Sequence, residues 1–507
     1  MLRRTSSQAS SGNRVLRKYR LNDMRFRDLL GWGLLLLAGV ALPSRFAVAQ
    51  QSAQPPASEE QPAVPVPVVT GAPNADLPGA DSTNRDLDQT STRMLTPPPA
   101  SGGSYPISVS AEERANYLRG GVTFNTAYSD NVLAGISGAP KSSLSYSIWP
   151  TVALDETSSR MHWVLSYAPG FTFYQKVSAY NESDENLGLE FTYRLSPHVT
   201  FSARDGLQKS SNVFNAPNLG AAGVVSGGTT VANQSVIAPV ADRLSNTGNV
   251  GITYQFGANS MVGAEGSFAN LHYPDLAQVP GLFDSESQAG SAFYAVRVSR
   301  MNYLGAIYQY QRLQSYPGTE TNQTQTHAAL GFYTLYLNPR FSISAFGGAQ
   351  YADSDAQFSA AGSVAAPSVH SWNPDAGGSV SWQGLHTSAA ISYSHMISGG
   401  GGLLGAVKMD GASASLRQQL SHTLSATAVA GYAQNDLLAN AAALSGNGHS
   451  VSGTASVQQL VGQHLSLQLG YSRLHQDYSS VAVLAANPDT NREFVSVSYQ
   501  FSRPLGR

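Results

Sequence analysis

Serine and histidine are the residue types in this chain that could perform acyl-transfer chemistry. They stand close together at Ser392 and His395, and again at Ser421 and His422. A serine nucleophile needs a base and a third orienting group that meet it in space, and neighbours in sequence do not establish such a meeting. Because serine is abundant throughout the chain, such pairs arise by chance. The sequence therefore predicts that the protein is not an enzyme.

Metal and cofactor motifs are missing from the sequence. The 11 histidines are dispersed without the spacing of a zinc site, and the chain has no cysteine. We find no Walker A loop and no glycine pattern of a dinucleotide-binding fold. We therefore expect neither a metal nor a cofactor.

Five charged residues are the remaining candidates for contact with a solute: Glu190, Arg194, Arg204, Glu265 and Arg297. They stand among neutral polar residues at every second position, and alternate residues of an extended strand share one face. If the apolar face meets lipid, these five residues line an interior channel. They could form a transverse field at a constriction, or they could pair with each other and with water.

Apolar and polar residues alternate with period two between residues 118 and 501, which predicts β-strands. Leu118, Val122 and Phe124 share one parity, whereas Arg119 and Thr123 take the other. We count about 18 such runs of roughly 9 to 13 residues, longer than globular strands of about 5 or 6 residues. A tilted strand that crosses a membrane needs about 9 to 11 residues.

Short and long connections alternate strictly between these runs. Short connections occur at 155–159, 196–198 and 257–260, and long ones at 129–142, 175–184, 273–290, 352–371 and 475–492. In a transmembrane β-barrel the short turns face the periplasm and the long loops face outside. Closure also gives every backbone N–H and C=O a partner in hydrocarbon. The sequence therefore predicts an all-β fold: a transmembrane antiparallel up-and-down barrel of about 18 strands, over residues 118–507.

Two features modify this expectation. Pro150 and Pro169 fall inside predicted strands, and each removes a hydrogen-bond donor, so we expect a bulge, a bend or a register change there. The long segment 210–245 is a candidate for a loop that folds inward and narrows the pore, with an ordinary surface loop as the alternative.

Composition agrees with a membrane barrel and excludes nucleic-acid binding. Only 12% of the residues are charged. Residues 1–49 hold nine Lys or Arg and two Asp or Glu, which leaves 21 basic and 30 acidic residues in the rest of the chain. An acidic chain of this kind offers no basic stripe for phosphate backbones. Tyrosines and phenylalanines collect near the strand ends, as in the aromatic girdles of membrane barrels.

The N-terminus has the layout of a secretory signal. An apolar stretch at 29–42 follows Arg25 and Arg27, and the small residues before Gln50 fit cleavage after Ala49. We predict a signal peptide at 1–49, with Met24 as a candidate true start. Residues 50–117 follow as a flexible periplasmic linker, because residues 50–110 alone hold 11 of the 26 prolines.

The segments 124–132, 145–154 and 187–201 resemble the β-barrel porin families of Gram-negative outer membranes. The resemblance covers most of residues 118–501 and implies a barrel in the cell outer membrane. It also implies that the last strand, with Val497, Tyr499 and Phe501, is read by the barrel-assembly machinery. Some relatives are linked to exopolysaccharide export.

We therefore predict a porin-like channel for passive diffusion of small solutes. The alternatives are an exopolysaccharide-secretion barrel and a non-conducting structural or adhesive barrel. The expected partners are outer-membrane lipid, the barrel-assembly machinery during insertion and, for the secretion alternative, periplasmic or exopolysaccharide-export proteins.

Overall fold

The computed structural model of the chain describes residues 116–133, 140–212, 240–317, 321–338, 340–356, 368–403, 405–438, 447–478 and 489–505. The chain divides into a unit of residues 1–65 and a unit of residues 66–507, and all described residues belong to the second. The predicted signal peptide and the predicted linker, except its last two residues, lie outside the described residues.

The described residues form eighteen strands and a short 3-10 helix, Ser178–Tyr180, between the third and fourth strands. The strands are β1 (Tyr117–Ser129), β2 (Ser143–Thr157), β3 (Met161–Tyr174), β4 (Glu182–Arg194), β5 (Val199–Asn212), β6 (Val240–Gly257), β7 (Ser260–His272), β8 (Asp284–Arg297), β9 (Asn302–Tyr316), β10 (Asn322–Asn338), β11 (Phe341–Ala356), β12 (Val369–Gln383), β13 (Thr387–Gly399), β14 (Ala406–Gln419), β15 (Leu424–Leu437), β16 (Gly448–Val461), β17 (Leu465–Tyr478) and β18 (Asp489–Pro504).

Every strand pairs antiparallel with the next one in the chain, and the last pairs with the first. At this closing seam Tyr117 lies opposite Pro504 and Ser129 lies opposite Arg492. The sheet therefore has no free edge, and the predicted closed antiparallel barrel of 18 strands is confirmed. No helix among the described residues is long and apolar enough to cross a membrane.

The connections alternate between the two ends of the barrel as the sequence predicts. The eight at one end contain two to four residues each, and both barrel termini lie at that end. The nine connections at the other end are longer; the shortest is 317–321 and the longest is 213–239. We call these the short-turn end and the long-loop end.

The strands continue further toward the long-loop end than predicted. The predicted loop at 273–290 ends at Asp284, where β8 begins. Asp284, Ser285, Glu286 and Ser287 are polar on both faces of this strand, so they carry no alternation of hydropathy to mark it. Here the backbone ladder with β7 and β9 defines the strand instead.

The two faces of the sheet differ in exposure and in chemistry. Val497 is 39% exposed on the outer face, whereas the neighbouring Ser498 is 4% exposed and faces the barrel interior. The outer face carries exposed Val, Ile, Leu, Phe and Tyr along most strands, and the inner face carries buried Ser, Thr, Asn and Gln. β-Branched and aromatic side chains on one face and small hydroxyls on the other both suit a pleated strand.

The two prolines lie opposite each other in the β2–β3 ladder. The pairing runs through Ile148 and Phe171, stops, and resumes at Val152 and Tyr167 in the same register. The expected bulge or register change is therefore absent from this pair of strands. Neither proline has a backbone N–H to donate. Because the two lie opposite each other, the missing ladder hydrogen bonds are confined to one position of the β2–β3 pair. Register shifts occur instead near the ends of β5, β6 and β10.

Candidate functional site

The candidate site is the interior of the barrel and its long-loop mouth. Glu190 on β4 and Arg204 on β5 both face inward and lie opposite each other in register. Arg204 Nε is 3.6 Å from Glu190 Oε1. Both side chains are partly exposed, so this ion pair contributes little to stability. Its effect is to place a dipole on the inner wall.

The other three predicted interior charges do not join this pair. Glu265 Oε1 on β7 accepts a hydrogen bond of 2.9 Å from Asn249 Nδ2 on β6. Arg297 ends β8 and donates to Asn259 Oδ1 at 2.9 Å and to the carbonyl of Ala258 at 3.2 Å. Arg194 ends β4, also at the short-turn end. The five residues therefore share the inner face but do not converge on one transverse field.

A different set of charges meets near the long-loop end of the interior. Arg492 on β18 interacts electrostatically with Glu182 and Asp184 on β4. Arg243 on β6 also interacts with Asp184, which is 1% exposed. These four inward-facing residues of β18, β4 and β6, which we call the charged bridge, are close enough to influence each other electrostatically. Sequence patterns did not indicate these residues, because they lie in segments predicted to be long loops.

Neutral hydroxyl groups cover much of the remaining inner wall. Hydroxyl pairs that join neighbouring strands include Thr123 and Ser498 at 2.8 Å, Thr324 and Ser354 at 2.9 Å, Thr454 and Ser472 at 3.0 Å, and Thr334 and Ser344 at 3.1 Å between hydroxyl oxygens. Hydroxyls both donate and accept, so this wall can exchange hydrogen bonds with water or with a polar solute.

One sector of the inner wall is apolar, which the sequence analysis did not predict. Inward side chains of β7 to β11 form a buried cluster there: Met261, Phe293, Ala295, Tyr303, Ala328, Leu330, Phe332 and Phe346. Several of its rings lie over glycines of the adjacent strand. A Cβ atom at Gly263 would come within 2.2 Å of Phe293, and one at Gly305 within 2.2 Å of Phe332.

Two long-end connections fold into the mouth of the barrel. They are residues 273–283, between β7 and β8, and the described residues 400–403 and 405, between β13 and β14. We call them the cap. The amide of Phe283 donates to the carbonyl of Gly402 at 2.7 Å, and the amide of Gly405 donates to Ser315 Oγ on β9 at 3.1 Å.

An apolar cluster attaches the cap to distant parts of the wall. Val279, Leu282 and Leu403 of the cap pack with inward residues of β7, β14 and β17: Leu271, Val407 and Tyr478. These strands lie far apart around the circumference, so the cluster spans the interior. Gly402 has a φ of 99°, and a Cβ there would lie 2.9 Å from the Tyr273 hydroxyl. Glycine alone adopts this φ without strain and leaves space for the Tyr273 hydroxyl.

Tyr273 connects the cap to the charged bridge. Its ring is buried and its hydroxyl donates to the carbonyl of Gly401 at 3.5 Å. Burial raises the pKa of Tyr273 to about 12, and Arg243 opposes that rise. The phenol therefore stays protonated at neutral pH and remains a donor. Most of the predicted inward loop, 213–239, lies outside the described residues; the cap belongs to other connections.

The proposed assembly signal lies on the outer face beside the closing seam. Val497, Tyr499 and Phe501 are all exposed there. The Phe501 ring covers Gly120 on β1, where an added Cβ would be 2.5 Å from the ring. β18 continues to Pro504, three residues beyond Phe501. The structure thus places these residues on the outer face of β18, next to β1.

Ser392 and His395, the first serine–histidine pair of the sequence, lie on opposite faces of β13. Ser392 faces inward and shares a hydrogen bond of 2.7 Å with Ser413. His395 lies on the outer face and contacts Asp410. Ser421 Oγ accepts from the amide of Leu424 within a short turn. Within the described ranges, no group of three or more His, Cys, Asp or Glu side chains is arranged to hold a metal ion.

No protein-family model matches the chain, and no curated protein is similar to it in sequence. Solved structures with a similar fold include OccK2 (OpdF) of Pseudomonas aeruginosa, at 11% identity and a TM-score of 0.40, over 76% of this chain and 98% of that one. OpdK of the same organism, solved with vanillate, is similar at 9% identity and a TM-score of 0.39, over 76% and 99%. The FrpB iron transporter of Neisseria meningitidis, F3-3 variant, is similar at 12% identity and a TM-score of 0.36, over 76% and 67%.

Proposed function

We propose that the protein is an outer-membrane channel for passive diffusion of small polar solutes, with its mouth narrowed by the cap. The observation that carries this proposal is the closed barrel with an apolar outer face and a hydrogen-bonding inner face. An outer surface of this kind is stable in hydrocarbon, because every strand has two ladder partners. A barrel of 18 strands is wide enough to enclose an aqueous channel.

The inner wall indicates the class of solute. Hydroxyl and amide groups predominate, and the charges of both signs occur close together, as in the charged bridge. Such a wall selects weakly by charge sign. A wall of this composition favours neutral or zwitterionic solutes over long anionic polymers, which would need a run of arginines. The exopolysaccharide-secretion alternative therefore receives no support from the described wall.

The cap favours a second candidate function, the non-conducting structural barrel. Its apolar cluster spans the interior between β7 and the strands β14 and β17. If the cap stays closed, the barrel carries no solute and serves as a membrane-anchored surface for other molecules. Conductance separates the two candidates.

The test is single-channel recording in planar lipid bilayers with the full chain and two cap variants. Val279→Asp or Leu282→Asp places a carboxylate in the apolar cluster, where an unpaired charge is costly. We expect conductance steps in the unaltered protein and larger steps in both variants, because the cap leaves the mouth.

Leu276→Asp is the matched control. Leu276 belongs to the same connection but is 41% exposed, so its replacement should leave the conductance unchanged. If neither the unaltered protein nor the two cluster variants conducts, while heat-shifted gel mobility shows folded barrels, the channel proposal is wrong and the structural candidate stands.

A further inference from the structure

Six of the 11 histidines of the chain lie on the outer face near the long-loop end. Each is at most five residues from that end of its strand, and each shares its parity with exposed apolar or aromatic side chains. They lie on β7, β10, β12, β13, β16 and β17. We call them the histidine belt: His272, His327, His370, His395, His449 and His475.

Four histidines of the belt contact an aspartate of a neighbouring strand through the same ring atom. The Nδ1–carboxylate distances are 2.6 Å for His272 and Asp284, 2.8 Å for His395 and Asp410, 2.9 Å for His370 and Asp353, and 3.2 Å for His475 and Asp489. A carboxylate only accepts, so Nδ1 is the donor in the hydrogen bonds of His272, His395 and His475. Protonation then takes place at Nε2 and adds both a positive charge and a second N–H donor.

The other two histidines have aromatic and histidine neighbours. His327 Nδ1 lies 2.8 Å from the Tyr308 hydroxyl, and its ring centre is 5.1 Å from that of Tyr310. His449 lies opposite Asp477 in register, with its ring centre 5.3 Å from that of His475. The belt is therefore a continued pattern over several strands and not a single contact.

The neighbouring charges on this face are mostly negative. The titratable or charged groups that face the belt from adjacent strands include Asp284, Glu286, Asp353, Asp410, Asp436, Asp477, Asp489, Arg312, Lys408, Arg473, Tyr308, Tyr310, Tyr351, Tyr393 and Tyr432. Arg473 is already bonded to Asp489, at 3.1 Å. While the imidazoles are neutral, the carboxylates make this surface unfavourable for an anion.

Exposed aromatic rings fix the level of the belt relative to a membrane. Trp372 is 72% exposed and lies two residues from His370, toward the middle of the barrel. Tyr393 likewise lies two residues from His395, toward the middle of the barrel. Tryptophan and tyrosine collect at the headgroup level of a bilayer. The belt therefore lies among or just outside the headgroups on the long-loop side.

We propose that the histidine belt is an acid-dependent docking surface for the phosphate headgroups of membrane lipids. This inference rests on the proposed membrane location of the barrel. Histidine gains its charge between pH 5 and pH 8, so acidification adds up to six positive charges to the belt. The protonated rings of His272, His395 and His475 present Nε2–H to a phosphate oxygen while Nδ1 keeps its aspartate. Docking strengthens as the pH falls.

Trp372 provides the measurement, because it lies within the belt. The full chain is reconstituted in phosphatidylcholine nanodiscs that contain brominated phosphatidylglycerol, with EDTA present to remove divalent cations. The quenching of Trp372 is obtained by subtracting the fluorescence of the Trp372→Phe variant from that of the unaltered protein. We expect the preference for brominated phosphatidylglycerol over brominated phosphatidylcholine to rise about fivefold from pH 8 to pH 5, the effect of one basic side chain at an anionic surface.

Histidine variants test whether the belt causes this rise. The triple variant His370→Gln, His395→Gln, His475→Gln should lose the pH dependence. The control His386→Gln, His422→Gln, which alters two short-turn histidines, should keep it. A preference that does not change with pH, or that the triple variant retains, overturns the proposal.

Two further arms separate this proposal from its alternatives. Millimolar inorganic phosphate should leave the quenching unchanged, and its abolition by free phosphate would reveal a phosphate site instead of a lipid surface. Conductance is recorded on the same samples. Conducting barrels without a pH-dependent lipid preference overturn the belt proposal alone, whereas a failure of conductance concerns the proposed function.

Discussion

Two side chains of β4 show how the parity of a position decides between the outer face and the lumen. Leu187 is 41% exposed on the outer face, whereas Glu190 faces inward and pairs with Arg204 at 3.6 Å. Three positions separate them, so they have opposite parity and lie on opposite faces of one strand. The same substitution at these two positions therefore has opposite consequences.

Arginine at both positions makes this contrast measurable. Leu187→Arg places a charge in hydrocarbon near the middle of β4, which we expect to cost about 2–4 kcal/mol of barrel stability. Glu190→Arg places it in the lumen, so the barrel should fold normally and its reversal potential in a salt gradient should shift toward anion preference. Urea unfolding in lipid vesicles gives the stability, and equal destabilisation by both variants would contradict the assignment of faces.

Period-two alternation was sufficient to predict which face each of these residues occupies, because the pattern is local. It could not predict the charged bridge. Asp184 and Arg492 are far apart in the chain, and they meet only because the barrel has a particular diameter and register. Their local sequence is polar on both faces, which made the segments look like loops.

Whole strands pack against each other through aromatic rings that lie over glycines. Gly263 of β7 lies beneath Phe293 of β8, and Gly170 of β3 lies beneath Trp149 of β2. A ring that covers a glycine fills the space a side chain would take and fixes the register of the two strands. Glycine spacing alone does not reveal which ring covers which glycine, so the apolar sector was not predicted.

Two glycines of β7 test this packing. A Cβ at Gly263 would lie 2.2 Å from the Phe293 ring, whereas a Cβ at Gly266 would approach no atom more closely than 3.9 Å. We expect Gly263→Ala to destabilise the barrel by about 1–3 kcal/mol through overpacking. Gly266→Ala should change its stability much less. The urea midpoints of the two variants are compared. Similar midpoints would show that the Phe293 ring moves aside freely.

The described residues form a closed barrel whose two ends differ. The count of alternating runs predicted the number of strands, and the alternation of connection lengths predicted the up-and-down order, because closure and antiparallel order leave little freedom. The cap could not be predicted in this way. Its residues form a loop of ordinary composition, and its inward course depends on the apolar cluster formed with β7, β14 and β17. The histidine belt likewise depends on which strands become neighbours.

The central claim is that the outer face of the sheet contacts hydrocarbon and the inner face contacts water. The chain has no cysteine, so the single substitutions Leu467→Cys, Gln468→Cys and Leu469→Cys in β17 each provide one site for a spin label, with no labelling elsewhere in the chain. In lipid vesicles we expect labels at Leu467 and Leu469 to collide with oxygen and the label at Gln468 to collide with a water-soluble nickel complex. Equal access of the nickel complex to all three labels would contradict the account.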